Sequence, residues 1–184
     1  MIGEVAVVAY LPGELAARLA RIAHRLAPAS PARRPHITVL PARLVPLADA
    51  ALLELLRTAA PAGMPLRLRL GEVCTFLPVS PVIYLDVIAL DAGLEQLRRR
   101  LLSVLPDSIP GRFPFHPHLT LAYDLPEAYI LRLQPRWQRV WERLRVAWPG
   151  DLAMDELTLV RQTGDAEWRD LGTFRLTVEP PERS

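Results

Sequence analysis

Pro35-His36-Ile37-Thr38-Val39 and Pro117-His118-Leu119-Thr120-Leu121 are one pattern written twice: proline, histidine, branched aliphatic, threonine, aliphatic. The chain holds four histidines and eight threonines. Chance is therefore a poor explanation for two of the four histidines having threonine two places on. In an extended strand, residues i and i+2 share a face. The spacing projects His36 with Thr38 and His118 with Thr120. It turns Ile37, Val39, Leu119 and Leu121 to the opposite, core side.

The surroundings of the two motifs repeat as well. Residues 4–11 read as a Val-rich strand stopped by Pro12 and Gly13. Residues 13–27 place Leu15, Leu19, Ile22 and Leu26 on one face of a helix and Arg18, Arg21 and Arg25 on another. After the strand from His36 to Leu40, the pattern predicts a helix over 47–60 and a half-exposed strand over 66–76. The order then restarts: a strand over 82–89, a helix over 91–105, the motif strand from His118 to Tyr123, and a helix over 126–146 broken near Pro135. Strands over 154–162 and 168–178 close the chain, joined by a turn around Gly164 and Asp165. First strands at 4 and 82, and first helices at 13 and 91, share an offset of 78 residues. The expected class is α+β, a bilobal pseudo-twofold duplication with two antiparallel sheets lining a central groove and helices outside. Residues 1–178 are expected to form a single domain of two intertwined lobes with one motif each, and 179–184 a flexible tail.

Composition bounds the rest. The 184 residues are 51% hydrophobic and 23% charged, enough for a packed core and too apolar for a disordered chain. Nineteen prolines are scattered as punctuation between short elements. All 22 basic residues are arginine. Coding bias explains that equally well, and the lack of asparagine agrees with it. Arginine also suits bidentate phosphate contacts. A net charge of +2 is not that of a bulk nucleic-acid binder. The lone Cys74 has no disulfide partner, which points to a reducing compartment. No apolar run is long enough to span a membrane, and residues 5–11 lack the basic leader of a signal peptide. The expected location is the cytoplasm.

Two imidazoles and two hydroxyls around one centre suit phosphodiester chemistry. Thr38 and Thr120 can donate to non-bridging phosphate oxygens. His36 and His118 can divide the proton transfers of an in-line displacement near neutral pH. No metal is required, and the sequence shows no CxxC, HExxH or paired carboxylates at ligand spacing. The competing reading of each motif is an ordered strand end with a threonine that simply favours strands. His116 shares the motif face, but Pro117 and the want of further ligands argue against a metal pair. His24 reads as a solvated helix residue and Arg98, Arg99 and Arg100 as a solvated basic face. Trp137, Trp141 and Trp148 read as the core side of one helix. Phe76 and Tyr84 flank the turn from Pro78 to Pro81, where they are candidates to stack on a base. Arg43 and Arg161 are candidate phosphate contacts.

The paired His-x-Thr-x motifs resemble those of the 2H phosphoesterases, the superfamily of 2'-5' RNA ligases and cyclic phosphodiesterases. The likeness extends over most of the chain, through the order of elements to a closing hairpin at 154–176 (MDELTLVRQTGDAEWRDLGTFRL) similar to that of bacterial members. The resemblance implies a bilobal fold with a central groove. It implies metal-independent hydrolysis of a 2',3'-cyclic or related phosphate of a nucleotide or RNA end, or reversible 2'-5' joining. It makes His36 and His118 the acid–base pair, without saying which is the base, and Thr38 and Thr120 the phosphate holders. No cofactor is implied. The expected substrate is a small nucleotide or an RNA end, with no membrane or DNA partner and a monomeric chain. Two departures, Tyr123 where many relatives carry Arg or Lys and Pro41-Ala42-Arg43 after the first motif, weaken the case for long RNA. The alternative is a non-catalytic module that holds a nucleotide or phosphate ligand in the same groove.

Overall fold

The computed structural model describes residues 4–31, 33–60, 65–105, 114–148, 150–163 and 167–176. The strands are β1 (Glu4–Tyr10), β2 (His36–Leu44), β3 (Leu66–Thr75), β4 (Ile83–Ala89), β5 (His118–Ala122), β6 (Asp151–Met154), β7 (Glu156–Gln162) and β8 (Trp168–Arg175). The helices are α1 (Gly13–Leu26), α2 (Asp49–Ala59), α3 (Gly93–Ser103) and α4 (Glu127–Ala147). The expected loop at Pro110 and Gly111, the turn at Gly164 and Asp165, and the tail from Glu179 lie outside the described residues.

The mixed α and β content agrees with expectation, but the sheets do not. All eight strands join one antiparallel sheet in the order β6-β3-β4-β5-β2-β1-β7-β8. Its halves meet between β2 and β5 through the pair Ile37↔Leu119. The physical reason is the inner edges. Two separate sheets would leave the N–H and C=O groups of both motif strands unpaired beside a core, which is costly. The pseudo-symmetry survives in the strand order. Reading outward from the seam, β2 is followed by β1 and β7, and β5 by β4 and β3. Each half thus lends its third strand to the other, because β3 pairs with β4 and β7 with β1.

The helices pack on the side of Ile37, Val39 and Leu119, each fully buried. Leu15 and Leu19 fix the buried face of α1, while Leu94, Leu97 and Leu101 fix that of α3. On α2, Leu53 lies so close to β8 at Gly172 that a Cβ there would make the leucine side chain shift. α4 departs from expectation by running unbroken through Pro135. The proline removes the hydrogen bond that an N–H would give the Leu131 carbonyl. Leu131 is exposed, so water can satisfy that carbonyl. Trp137 and Trp141 are buried, and the Trp141 indole donates to the Gly71 carbonyl at 2.7 Å. Trp148, the residue that caps α4, is only partly buried against the same core. β6 was not legible as a separate strand, since its four residues alternate too briefly to show a period. Among the described residues no helix is long and apolar enough to cross a membrane.

Candidate active site

The seam sets the site. Ile37 opposite Leu119 is the one register pair of this antiparallel seam, which puts His36 on the side of Thr120 and Thr38 on the side of His118. Each motif's imidazole is therefore set beside the other motif's hydroxyl. All four side chains are half-buried, while the residues between them are buried. Both motifs follow the period of two expected of strands.

The two histidines are held in the same way. His36 Nδ1 lies 2.8 Å from the Arg34 carbonyl and His118 Nδ1 2.7 Å from the His116 carbonyl. A carbonyl only accepts, so each Nδ1 carries the hydrogen, and each Nε2 is the atom left for chemistry. The intervening prolines explain the motif's first residue. Proline has no N–H and favours an extended residue before it. The carbonyls of Pro35 and Pro117 then accept the N–H groups of Leu11 (3.1 Å) and Val87 (3.2 Å). Both motif strands are tied at equivalent places.

The surroundings of the two rings differ. Tyr10 is the register partner of His36 and meets it edge-on at 6.0 Å. Its hydroxyl donates to Asp170 at 2.6 Å. Asp86 is the register partner of His118 and takes the His116 ring at 3.1 Å. Phe76 and Tyr84 stack on each other at 4.0 Å, and their edges meet His118 at 4.9 and 5.4 Å. These two aromatics thus lie beside the second motif, where they brace the His118 ring. Tyr84 is buried.

The two arginines singled out from the sequence are not at this face. Arg43 is buried opposite Val5, on the core side of β2. Register shifts between β1 and β2 interrupt simple alternation here. Burial pushes its guanidinium below the ordinary value, and Arg98 adds to this. Arg161 also pairs with Val5. It forms a 2.7 Å ion pair with Asp49, the first residue of α2, and donates to the Leu47 carbonyl at 3.3 Å. It ties β7 to a helix start. In both cases a position near the groove in sequence lies on its far face in space.

Sequence reasoning missed Asp86, Tyr10, Arg33 and Arg34. Asp86 had a signal, a lone carboxylate inside the apolar strand VIYLDVIA. Tyr10 had only its place at the end of β1. Cys74 is free and half-buried in β3, in register with Tyr84. Among the described residues no cluster of three or more His, Cys, Asp and Glu is arranged to hold a metal ion.

Burial pushes both imidazoles below their ordinary value of 6.5. For His36 the Arg34 carbonyl and Asp170 oppose this, while Arg33 and His118 add to it. For His118 the His116 carbonyl and Asp86 oppose it, and His116 adds to it. A pair that must be singly protonated for acid–base work is then best populated on the acidic side of 6.5. We expect a bell-shaped pH profile of kcat/KM with its maximum there, and a maximum well above neutrality would contradict the burial argument. The sign for stability follows. The folded chain binds fewer protons than the unfolded one once pH drops below 6.5, so the histidine contribution is present above that pH and lost as pH falls.

The model of the 2'-5' RNA ligase superfamily matches residues 11–166. The chain belongs to that superfamily. Solved structures share the fold at low identity. Escherichia coli LigT complexed with 3'-AMP superposes with a TM-score of 0.67 at 21% identity, covering 97% of this chain and all of LigT. A structure described as a phosphoesterase gives 0.63 at 23%, covering 97% of this chain and 100% of the other. TT0787 of Thermus thermophilus gives 0.61 at 19%, covering 96% and 100%. No curated protein sequence matches this chain.

Proposed function

We propose that the chain is a phosphodiesterase that opens a 2',3'-cyclic or related phosphate on a nucleotide or a short RNA end, by acid–base catalysis between His36 and His118. The observation that carries this reading is the matched hold on the two rings. Each has its Nδ1 committed to a backbone carbonyl and its Nε2 uncommitted, and the two sit on one face beside each other's threonine. In the reaction, one imidazole takes a proton from the attacking water. The new P–O bond forms as the ring P–O bond opposite it breaks, and the second imidazole protonates the departing ribose oxygen. The hydroxyls of Thr38 and Thr120 donate to the non-bridging oxygens, where charge builds. With a 5'-ribose hydroxyl in place of water, the same displacement joins RNA ends: the P–O5' bond forms as the P–O3' bond breaks, the 3' oxygen takes the proton, and a 2'-5' bond results. Membership in the superfamily supports this chemistry. A fold relative taken with 3'-AMP, ATP and NADP+ supports a nucleotide-sized ligand.

The test is incubation with EDTA and the four nucleoside 2',3'-cyclic monophosphates, together with a short RNA ending in a 2',3'-cyclic phosphate. Products are resolved as 2'- or 3'-phosphates. Metal-free opening is expected, with one isomer dominant, and the isomer identifies the oxygen that leaves. Saturable binding without turnover of any of these would favour the binding module.

A further inference from the structure

Just before His36, the chain presents two consecutive arginines, and each lies on a tyrosine. The Arg33 guanidinium lies 4.4 Å from the centre of the Tyr123 ring, and its Nε donates to the Tyr123 hydroxyl at 2.6 Å. The Arg34 guanidinium lies 3.7 Å from the centre of the Tyr10 ring. Its nearest carboxylate, Asp170, is at 4.0 Å and already holds the Tyr10 hydroxyl. Arg33 has no ion pair among the described residues. A ring face restrains a guanidinium without neutralising it, and although Arg33 spends its Nε–H on the Tyr123 hydroxyl, both arginines keep their charge. Exposed arginines otherwise lose much side-chain entropy on binding; these two are partly ordered in advance.

Both arginines line a cavity of about 80 Å³, with His24, His36, Thr120 and Tyr123 among its other walls. A single water needs only ~10–15 Å³ by the same measure. Its walls are α1 residues such as Leu19, Ala23 and His24 on one side and His36 and Thr120 on the other, so it adjoins the site that would hold the scissile phosphate.

We infer that Arg33 and Arg34 form a second anion subsite, which takes a further phosphate of the same substrate molecule. The substrate is then a nucleotide with a phosphate besides the cyclic one, on its 5' carbon or in an adjoining phosphodiester. This rests on the phosphodiesterase reading of the neighbouring site, and equilibrium binding tests it without turnover. The probes are adenosine 3'-monophosphate, adenosine 3',5'-bisphosphate and a diadenosine ending in a 3'-phosphate, titrated into wild type and Arg33→Gln/Arg34→Gln. One added phosphate on prepared guanidinium donors is expected to tighten binding by about tenfold or more. The substituted chain is expected to lose most of that gain. A gain for the bisphosphate points to a 5'-phosphate, and a gain for the diadenosine alone points to a phosphodiester. Equal affinities in wild type, or a gain that survives both substitutions, would overturn the subsite. If cyclic phosphates are hydrolysed but no gain appears, only the subsite fails. If the gain appears without hydrolysis, only the phosphodiesterase reading fails.

Discussion

Replacing His36 or His118 by alanine is expected to lower turnover of a cyclic phosphate by roughly 10²–10⁴, the usual worth of a general acid or base. KM should move much less, because the threonine hydroxyls proposed to hold the phosphate remain. Neither ring is part of the core, so each variant should stay folded. His118 needs one further check. Its ring touches Phe76 and Tyr84, and alanine leaves those aromatics without a neighbour. His118→Gln fills more of that space and should lose as much activity as the alanine variant if proton transfer is what matters. The double variant should lose little more than the worse single one, since two groups acting on one step are not additive. Full activity in either single variant, on every substrate the wild type opens, would end the two-histidine mechanism.

The second large effect is structural. Leu119→Ala is expected to cost about 2–5 kcal/mol, the range for a fully buried leucine whose cavity cannot collapse. That is a large part of the ~5–15 kcal/mol that holds an ordinary domain together. Leu119 is fully buried and pairs with Ile37 across the seam. A void there loosens the one registered contact between the two motif strands, so activity should fall as well. Leu56→Ala, in α2 and equally buried, supplies the comparison. It should destabilise by a similar amount and leave kcat near wild type under conditions where both variants are folded. Urea midpoints at constant m-value measure the first quantity, and initial rates well below those midpoints measure the second. Equal effects on kcat from both substitutions would mean that the seam does not set the geometry of the site.

Much of this was legible because it depends on local period. Strand alternation gave the faces of His36, Thr38, His118 and Thr120, and helical spacing gave the buried faces of α1 and α3. What failed depended on contacts distant in sequence. Nothing local says that two repeated units will share one sheet. Nor does anything local say that Arg161 will be held by Asp49, more than a hundred residues away. Arg43 shows a subtler failure, since bulges between β1 and β2 change which residues face the core. Arg33 and Arg34 lie in a loop without periodicity, and their partners, Tyr10 at the end of β1 and Tyr123 just past β5, are far apart in sequence. Pro135 misled because propensity weighs a proline in isolation, while the tertiary contacts of α4 offset its one missing bond.

The exchange of third strands also imposes a schedule on synthesis. β1 leaves the ribosome first, yet its outer neighbour β7 is made some 150 residues later. Until then one side of β1 is an open edge, rich in valine and able to pair with any passing strand. The central strands can zip early, but the sheet cannot be completed on the β1 side before nearly the whole chain has emerged. The internal repeat therefore does not divide into two independently maturing halves, and the longest wait falls on the strand that backs His36 and Thr38.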